Sequence, residues 1–201
     1  MPLQNRVRPE GEIVADPGRG LFMGNRGCLH DADRRLGAAR WRHRAWICCR
    51  LAFRDRRRPL MAPGRYTELF FLDEAVALAA GHRPCAECRR EDYSTFLDCW
   101  QRAFNNRPKA AAMDAALHRA RLDGRTQRRE ILPAAALPDG CFLLWNGAPH
   151  LVLGDRIHRY GTAGYDAAFA RPASTVTCLT PAPVRAVLAQ GYRPVLHPTA
   201  G

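Results

Sequence analysis

Residues 67–90, TELFFLDEAVALAAGHRPCAECRR, decide the fold that the sequence predicts. The stretch begins with a β-branched and aromatic run typical of a strand, and continues into a short helix that Asp73 can cap. Gly81 supplies the left-handed residue that ends a helix, and the proline soon after it prevents the helix from starting again. Cys85 and Cys88 follow directly. The stretch therefore predicts a strand, a helix, a two-cysteine knuckle and a second helix.

The paired cysteines have the spacing of a metal site. Two thiolates separated by two residues can converge on one ion, and thiolate ligands favour zinc over harder cations. A tetrahedral site needs four ligands. The predicted ligands are Cys85, Cys88, Cys49 and Cys28, with His30 as the first substitute.

Cysteine usage and the start of the chain indicate a cytoplasmic protein. The sequence holds eight cysteines, begins with charged residues and has no apolar signal segment. In a reducing compartment such cysteines bind metal rather than form disulfides. No apolar run is long enough to predict a membrane span.

Residues 70–90 also resemble the metal-binding domain of the bacterial alkylation-repair protein Ada and the short zinc domains related to it. The resemblance is carried by residues 77–88, ALAAGHRPCAEC. It implies an Ada-like zinc core in which Cys85 and Cys88 are the second pair of zinc ligands. In that family the first pair lies a short way upstream in a C-x3-C arrangement, which this chain lacks. The candidates for that pair are Cys28, Cys48 and Cys49, with His30 and His43 as substitutes.

The charge of the chain indicates a polyanionic partner. The sequence has 31 basic residues against 19 acidic ones, a formal net charge of +12. All of the basic residues except Lys109 are arginines, whose planar fork matches phosphate geometry. Nucleic acid is the commonest partner for such an excess, and DNA is preferred here over RNA. A highly soluble surface is the alternative interpretation.

The stretch from Trp41 to Phe53, WRHRAWICCRLAF, alternates between two faces and predicts a half-buried strand with a basic outer face. Cys49 falls on the apolar side, and Cys48 falls with the arginines. Arginines with an interleaved aromatic ring suit phosphate contacts and base stacking, although a solvated strand face has the same pattern. The predicted nucleic-acid-binding residues are Arg26, Arg42, Arg44, Trp46, Arg50, Arg54, Arg56, Arg57 and Arg58.

The predicted fold class is α+β. Residues 1–108 form the Ada-like zinc-binding region, and residues 109–130 form a helical connector. After residue 130 the chain changes to short alternating runs separated by glycine turns. Residues 131–201 are therefore predicted as a small antiparallel β-rich unit that ends in a helix.

The function predicted from these features is that of a zinc-binding, basic nucleic-acid-binding protein, with a role in DNA repair implied by the resemblance. The alternative is an enzyme, which either transfers an alkyl group to a zinc-bound cysteine, Cys28 or Cys49, or acts as a metal-dependent hydrolase or nuclease. Zinc deamination is excluded because alanines stand two residues after His30 and His43, where that chemistry needs a glutamate. A closed four-ligand site would favour the binding protein, and a three-ligand site facing a pocket with a histidine would favour the enzyme.

Overall fold

The computed structural model describes residues 1–54 and 59–201, which form a mixed α+β fold. The first part of the chain contributes β1 (Gln4–Val7), β2 (Ile13–Ala15), β3 (Phe22–Asn25), β4 (Ile47–Arg50), β5 (Leu69–Phe71), α1 (Glu74–Ala79) and β6 (Arg83–Pro84). The order across this first sheet is β2-β1-β5-β3-β4-β6. The β1–β5 and β4–β6 pairs are parallel, and the other pairs are antiparallel.

The rest of the chain adds helices and an antiparallel sheet. Its elements are α2 (Arg90–Phe104), α3 (Ala110–Arg121), β7 (Leu122–Asp123), β8 (Thr126–Gln127), β9 (Glu130–Pro133), β10 (Phe142–Trp145), β11 (Ala148–Leu153), β12 (Arg156–Gly161), β13 (Gly164–Ala170), β14 (Thr175–Cys178) and α4 (Ala182–Ala189), with 3-10 turns at Ala134–Ala136 and Pro198–Ala200. β7 and β8 form a small hairpin, and the second sheet has the order β13-β12-β11-β10-β14-β9. Within the described ranges, no helix combines the length and apolarity needed to cross a membrane.

The stretch that decides the fold adopts the predicted order of elements. The carboxylate of Asp73 accepts a hydrogen bond from the backbone N–H of Val76 at 2.9 Å and so caps α1. Gly81 has a φ of +84°, a left-handed conformation that glycine adopts without steric cost. β6 then pairs with β4 before α2 begins. The predicted strand, helix, knuckle and helix are confirmed here.

Helix α1 lies in the centre of the core, because all of its side chains are buried. Its apolar residues other than Leu78 belong to a cluster that includes Phe71 from the first sheet and Phe142 from the second, and Leu78 belongs to a second cluster. Glu74 is buried as well, where it forms an ion pair with Arg89 at 2.8 Å and accepts a hydrogen bond from Tyr192 Oη at 2.6 Å. The end of the chain therefore closes over the helix that precedes the knuckle.

The strand predicted over residues 41–53 is shorter in the structure, where β4 covers four residues. Trp46 is only 3% exposed, and its Nε1 donates to the carbonyl of His43 at 3.0 Å. The prediction that Cys49 lies on the apolar side and Cys48 with the arginines is wrong, because Cys48 is buried in the core while Cys49 is half-buried. The prediction that Trp46 lies on the basic outer face is wrong, because two arginines from other parts of the chain lie over its ring.

Apolar contacts cross the predicted boundaries at residues 108 and 130. One cluster of buried side chains joins Val7 and Leu69 from the first sheet to Leu151 from the second. Both sheets therefore contribute to one core, and the division into 1–108, 109–130 and 131–201 stays a prediction.

Candidate metal centre

Three thiols converge beside the knuckle. The Sγ atoms of Cys49, Cys85 and Cys88 all lie within 4.8 Å of one another. The parallel pairing of β6 with β4 brings them together, since it sets Pro84 opposite Cys48 and so places the knuckle beside the next residue of β4. The backbone N–H of Cys85 continues this pairing by donating to the carbonyl of Cys48 at 2.9 Å.

Buried ion pairs hold the knuckle from both sides. Before it, Arg83 makes a bidentate contact with Asp114 of α3, at 2.7 and 2.9 Å. After it, Arg89 pairs with Glu74 and donates to Cys48 Sγ at 3.4 Å. These charge-assisted bonds fix the direction in which the chain enters and leaves the cysteine pair.

The three thiols lie within hydrogen-bonding contact of one another. Hydrogen bonds from the thiols of Cys49 and Cys88 lower the pKa of Cys85. The hydrogen bonds that Cys49 makes with Cys85 and Cys88 raise the pKa of Cys49. Three sulfur atoms this close favour a state in which a bound cation replaces the thiol protons.

The donor set fits zinc. A tetrahedral zinc–thiolate site has Zn–S distances of about 2.3 Å, which place its sulfur atoms about 3.8 Å apart. Sulfur atoms within 4.8 Å of one another are close to that spacing. Soft thiolate ligands also exclude magnesium and calcium as preferred ions. Cys49, Cys85 and Cys88 would therefore hold a zinc ion through three sulfur atoms.

Cys28 and His30 lie outside this thiol group in the part of the chain that the structure describes. The thiol of Cys28 is directed to the carbonyl of His30 at 3.7 Å. Both ring nitrogens of His30 are already engaged, by Thr67 Oγ1 at 2.7 Å and by the carbonyl of Ala62 at 3.2 Å. The structure thus brings together three of the four predicted thiols, and the predicted substitute has a local structural role instead.

A cavity of about 580 Å³ borders the thiol group, and we call it the thiol cavity. Glu68 and Glu87 both line it, and Glu68 is buried, with Oε2 accepting from the backbone N–H of Met61 at 2.7 Å. Sequence reasoning missed Glu68. The available signal was its spacing, because Glu68 stands two residues before Phe70 and so faces the same side of the sheet. Phe70 pairs with Met23, and Met23 in turn pairs with Cys49. Besides the thiols and these carboxylates, the cavity is lined by Met23, Asn25, Ile47, Arg50, Tyr66 and Phe70, among others.

The predicted nucleic-acid-binding residues divide into three sets. Arg42, Arg44, Arg50 and Arg54 are exposed, and Arg50 lines the thiol cavity. Arg26 and Trp46 are buried, so their prediction as surface contacts is wrong for this structure. Residues 56–58, which include the remaining predicted arginines, lie outside the described residues.

Comparisons with known proteins add no family to this description. A scan against protein-family models found no matching family, and searches of curated proteins and of solved structures found no match. The Ada resemblance therefore stays a prediction from the residues that carry it.

Proposed function

We propose that this chain is a zinc-binding protein that docks on nucleic acid, with Cys49, Cys85 and Cys88 as the metal ligands. The observation that carries the proposal is the convergence of three sulfur atoms within 4.8 Å at the edge of a cavity. Each ligand comes from a backbone segment that is fixed by sheet pairing or by a buried ion pair. Such preorganisation favours metal binding in the folded state.

Basic residues beside the thiol cavity support the nucleic-acid part of the proposal. Arg50 lines the cavity, and Arg54 forms an exposed ion pair with Glu87 at 3.7 Å on the same rim. Exposed arginines at such a rim suit contacts to phosphate groups. A role in DNA repair rests on the Ada resemblance, and duplex DNA is the partner that we propose.

The open cavity favours an enzyme as the second candidate. Zinc bound by three thiolates would supply an electrophile with a coordination position accessible from the cavity. In a hydrolytic reaction, the carboxylate of Glu68 would then accept the proton of the attacking water. In the alkyl-transfer form, the sulfur of Cys49 would bond to the methyl carbon of a phosphotriester while the carbon–oxygen bond breaks and its electron pair leaves with the phosphate oxygen.

The salt dependence of duplex DNA binding tests the docking proposal. We expect log K to fall linearly with log salt, with a slope of about −0.9 for each neutralised phosphate. Replacing Arg50 by serine should reduce the magnitude of that slope by about one, because one phosphate contact is lost. Arg159→Ser is the matched control, since Arg159 is also exposed but pairs with Asp166 on the second sheet. Identical slopes for both variants would contradict the proposed surface.

A Glu68→Gln variant separates the binding protein from the hydrolase. We expect it to keep its zinc and its affinity for DNA in either case. If the chain hydrolyses phosphodiesters, the variant should lose about 10²-fold or more of the rate, as general-base removal does. An unchanged rate would exclude Glu68 as the general base. If the wild type shows no turnover, the binding function is the one of the two candidates that remains.

A further inference from the structure

A second cavity, of about 610 Å³, is lined by arginines, and we call it the arginine cavity. Arg26 and Trp46 line it, whereas their sequence neighbours Asn25 and Ile47 line the thiol cavity. Among the described residues, the two cavities have no lining residue in common. Each cavity can therefore take its own ligand.

Two of the arginines that line this cavity are buried without a carboxylate. Arg26 and Arg121 are each 2% exposed. Arg26 donates to the carbonyl of Gly11 at 3.1 Å, and Arg121 donates to the carbonyls of Gly81 and Arg44, both at 2.8 Å. Within the described ranges, Arg26 Nη2 and Arg121 Nε have no hydrogen-bond partner, and neither guanidinium has an ion-pair partner.

The two guanidinium groups lie over the same indole ring. The Cζ atoms of Arg26 and Arg121 are 4.1 and 3.6 Å from the ring centroid of Trp46. Cation–π contacts offset part of the cost of burying a charge but do not neutralise it. Burial lowers the pKa of Arg26 to about 9, and burial together with the nearby charge of Arg26 lowers the pKa of Arg121 to about 8. Two neighbouring positive charges thus remain without a counter-ion at the cavity wall.

Other lining residues match a ligand that carries more than a charge. The two hydrogens on Nε2 of Gln127 are shared among the carbonyls of Pro9, Ala79 and Leu179 at 2.8, 3.0 and 3.1 Å, which fixes the amide orientation. Its Oε1 then has no partner among the described residues, so it can accept a hydrogen bond from a ligand. Trp41 adds a partly exposed ring, 6.0 Å from that of Trp46.

The lining of the cavity is basic overall, because it contains five arginines and three carboxylates, those of Glu10, Glu12 and Asp123. Glu10, one of the carboxylates on the lining, is already paired with Arg8 at 3.2 Å, which lies outside the lining. Arg40, Arg125 and Arg129 are exposed and extend the positive field of the buried pair outward. A field of this sign draws anions into a concave site.

We propose that the arginine cavity binds a phosphomonoester, with Arg26 and Arg121 as the groups that hold its phosphate. A phosphate monoester carries a charge close to −2 at neutral pH and can neutralise both guanidinium groups, whereas a carboxylate can neutralise one. The cavity volume suits a ligand the size of a nucleotide. A free mononucleotide and the phosphorylated end of a nucleic-acid strand share this chemistry. The inference does not rest on the proposed function, because the metal ligands lie in the other cavity.

Calorimetric titration of the full chain tests the proposal. The probes are adenosine 5′-monophosphate, adenosine, and one short single-stranded DNA with and without a 5′-phosphate. These probes form two pairs, the nucleotide with its nucleoside and the DNA with and without its phosphate. We expect the phosphate to raise the affinity by about ten-fold or more in at least one pair, since charge-assisted bonds dominate such sites. A gain in the nucleotide pair alone identifies the free nucleotide, and a gain in the DNA pair identifies the strand end. Equal affinities within both pairs would overturn the proposal.

Variants place the binding in this cavity. Arg26→Gln should lower the affinity for the better phosphorylated probe by about ten-fold or more. Arg129→Gln should lower it by about two- to five-fold through the loss of a rim charge. Arg128→Gln is the matched control, because Arg128 is the exposed neighbour of Arg129 but does not line the cavity, and its affinity should not change. Equal affinities of the Arg128 and Arg129 variants would overturn the assignment even if Arg26→Gln failed to fold.

A further variant separates this inference from the proposed function. Arg50→Ser should weaken duplex DNA binding at the thiol cavity and leave adenosine 5′-monophosphate binding unchanged. Loss of nucleotide binding in Arg50→Ser would overturn the arginine cavity as the nucleotide site.

Discussion

The thiol cavity and the arginine cavity lie beside the same strands, but the buried charges around them are compensated differently. Next to the thiols, Arg83 and Arg89 each meet a buried carboxylate inside the fold. In the arginine cavity, Arg26 and Arg121 meet backbone carbonyls and the ring of Trp46. A buried charge with an internal partner is compensated within the fold, whereas a buried charge without one is available to a ligand. The difference assigns a structural role to the first pair of arginines and a binding role to the second.

The largest expected effect on stability comes from replacing one of the three thiols. Cys85→Ser should abolish zinc binding and cooperative unfolding, because structural zinc sites supply about 10–16 kcal/mol of metal-binding free energy. Thermal unfolding followed by circular dichroism, with zinc content measured on the same samples, checks this. Cys28→Ser is the control, since Cys28 lies outside the thiol group and its variant should keep both zinc and the wild-type midpoint. An unchanged midpoint in Cys85→Ser would remove the structural role of the metal.

Replacing one buried arginine next to the thiols and one in the arginine cavity tests the contrast in charge compensation. Arg89→Met should cost about 3–5 kcal/mol of unfolding free energy, because it leaves the buried carboxylate of Glu74 without its partner. Arg26→Met should cost about 1 kcal/mol or less, because it removes a buried charge that has no internal counter-ion. Urea unfolding of both variants at neutral pH measures the difference. Equal costs would show that Arg26 is as much a part of the fold as Arg89.

The glycines that end α1 and α4, Gly81 and Gly191, give a smaller expected effect than Arg89→Met. Gly81 and Gly191 have positive φ values of +84° and +95°, so alanine at either position should cost roughly 1–2 kcal/mol. A Cβ on Gly81 would also approach Arg121 Cδ to 2.5 Å, whereas a Cβ on Gly191 would meet no atom of the described chain within 4 Å. We therefore expect Gly81→Ala alone to weaken nucleotide binding in the arginine cavity, in the same titration. Equal effects on binding would contradict a dependence of nucleotide binding on the position of Arg121.

Local chemistry made the thiol side predictable. The cap at Asp73, the stop at Gly81 and the pair Cys85 and Cys88 all lie within one short segment, and the structure confirms their local arrangement. Each of these features depends on neighbours in sequence, which is the information that a single sequence carries. The faces predicted for the adjacent cysteines were wrong, because in β4 Cys48 is buried in the core and Cys49 is half-buried beside the thiol cavity.

Long-range packing made the arginine side unpredictable. Trp46 and Arg121 are 75 residues apart in sequence, yet the Arg121 guanidinium lies over the indole ring. In sequence, an arginine in the last turn of α3 is typical of a solvated helix end. Trp46, which alternates with arginines, is typical of an exposed residue that stacks on a base. The predicted position of Cys28 in the metal site was missed for the same reason. The loop between β3 and β4 directs its thiol to the carbonyl of His30 instead.

The most direct measurement on the metal centre is zinc K-edge X-ray absorption of the purified full chain, because it counts the sulfur neighbours of the ion. We expect one zinc per chain with three sulfur neighbours at about 2.3 Å and one lighter neighbour. Four sulfur neighbours would mean that a further thiol closes the site and that no coordination position is accessible from the thiol cavity. A chain without zinc would contradict the metal centre itself.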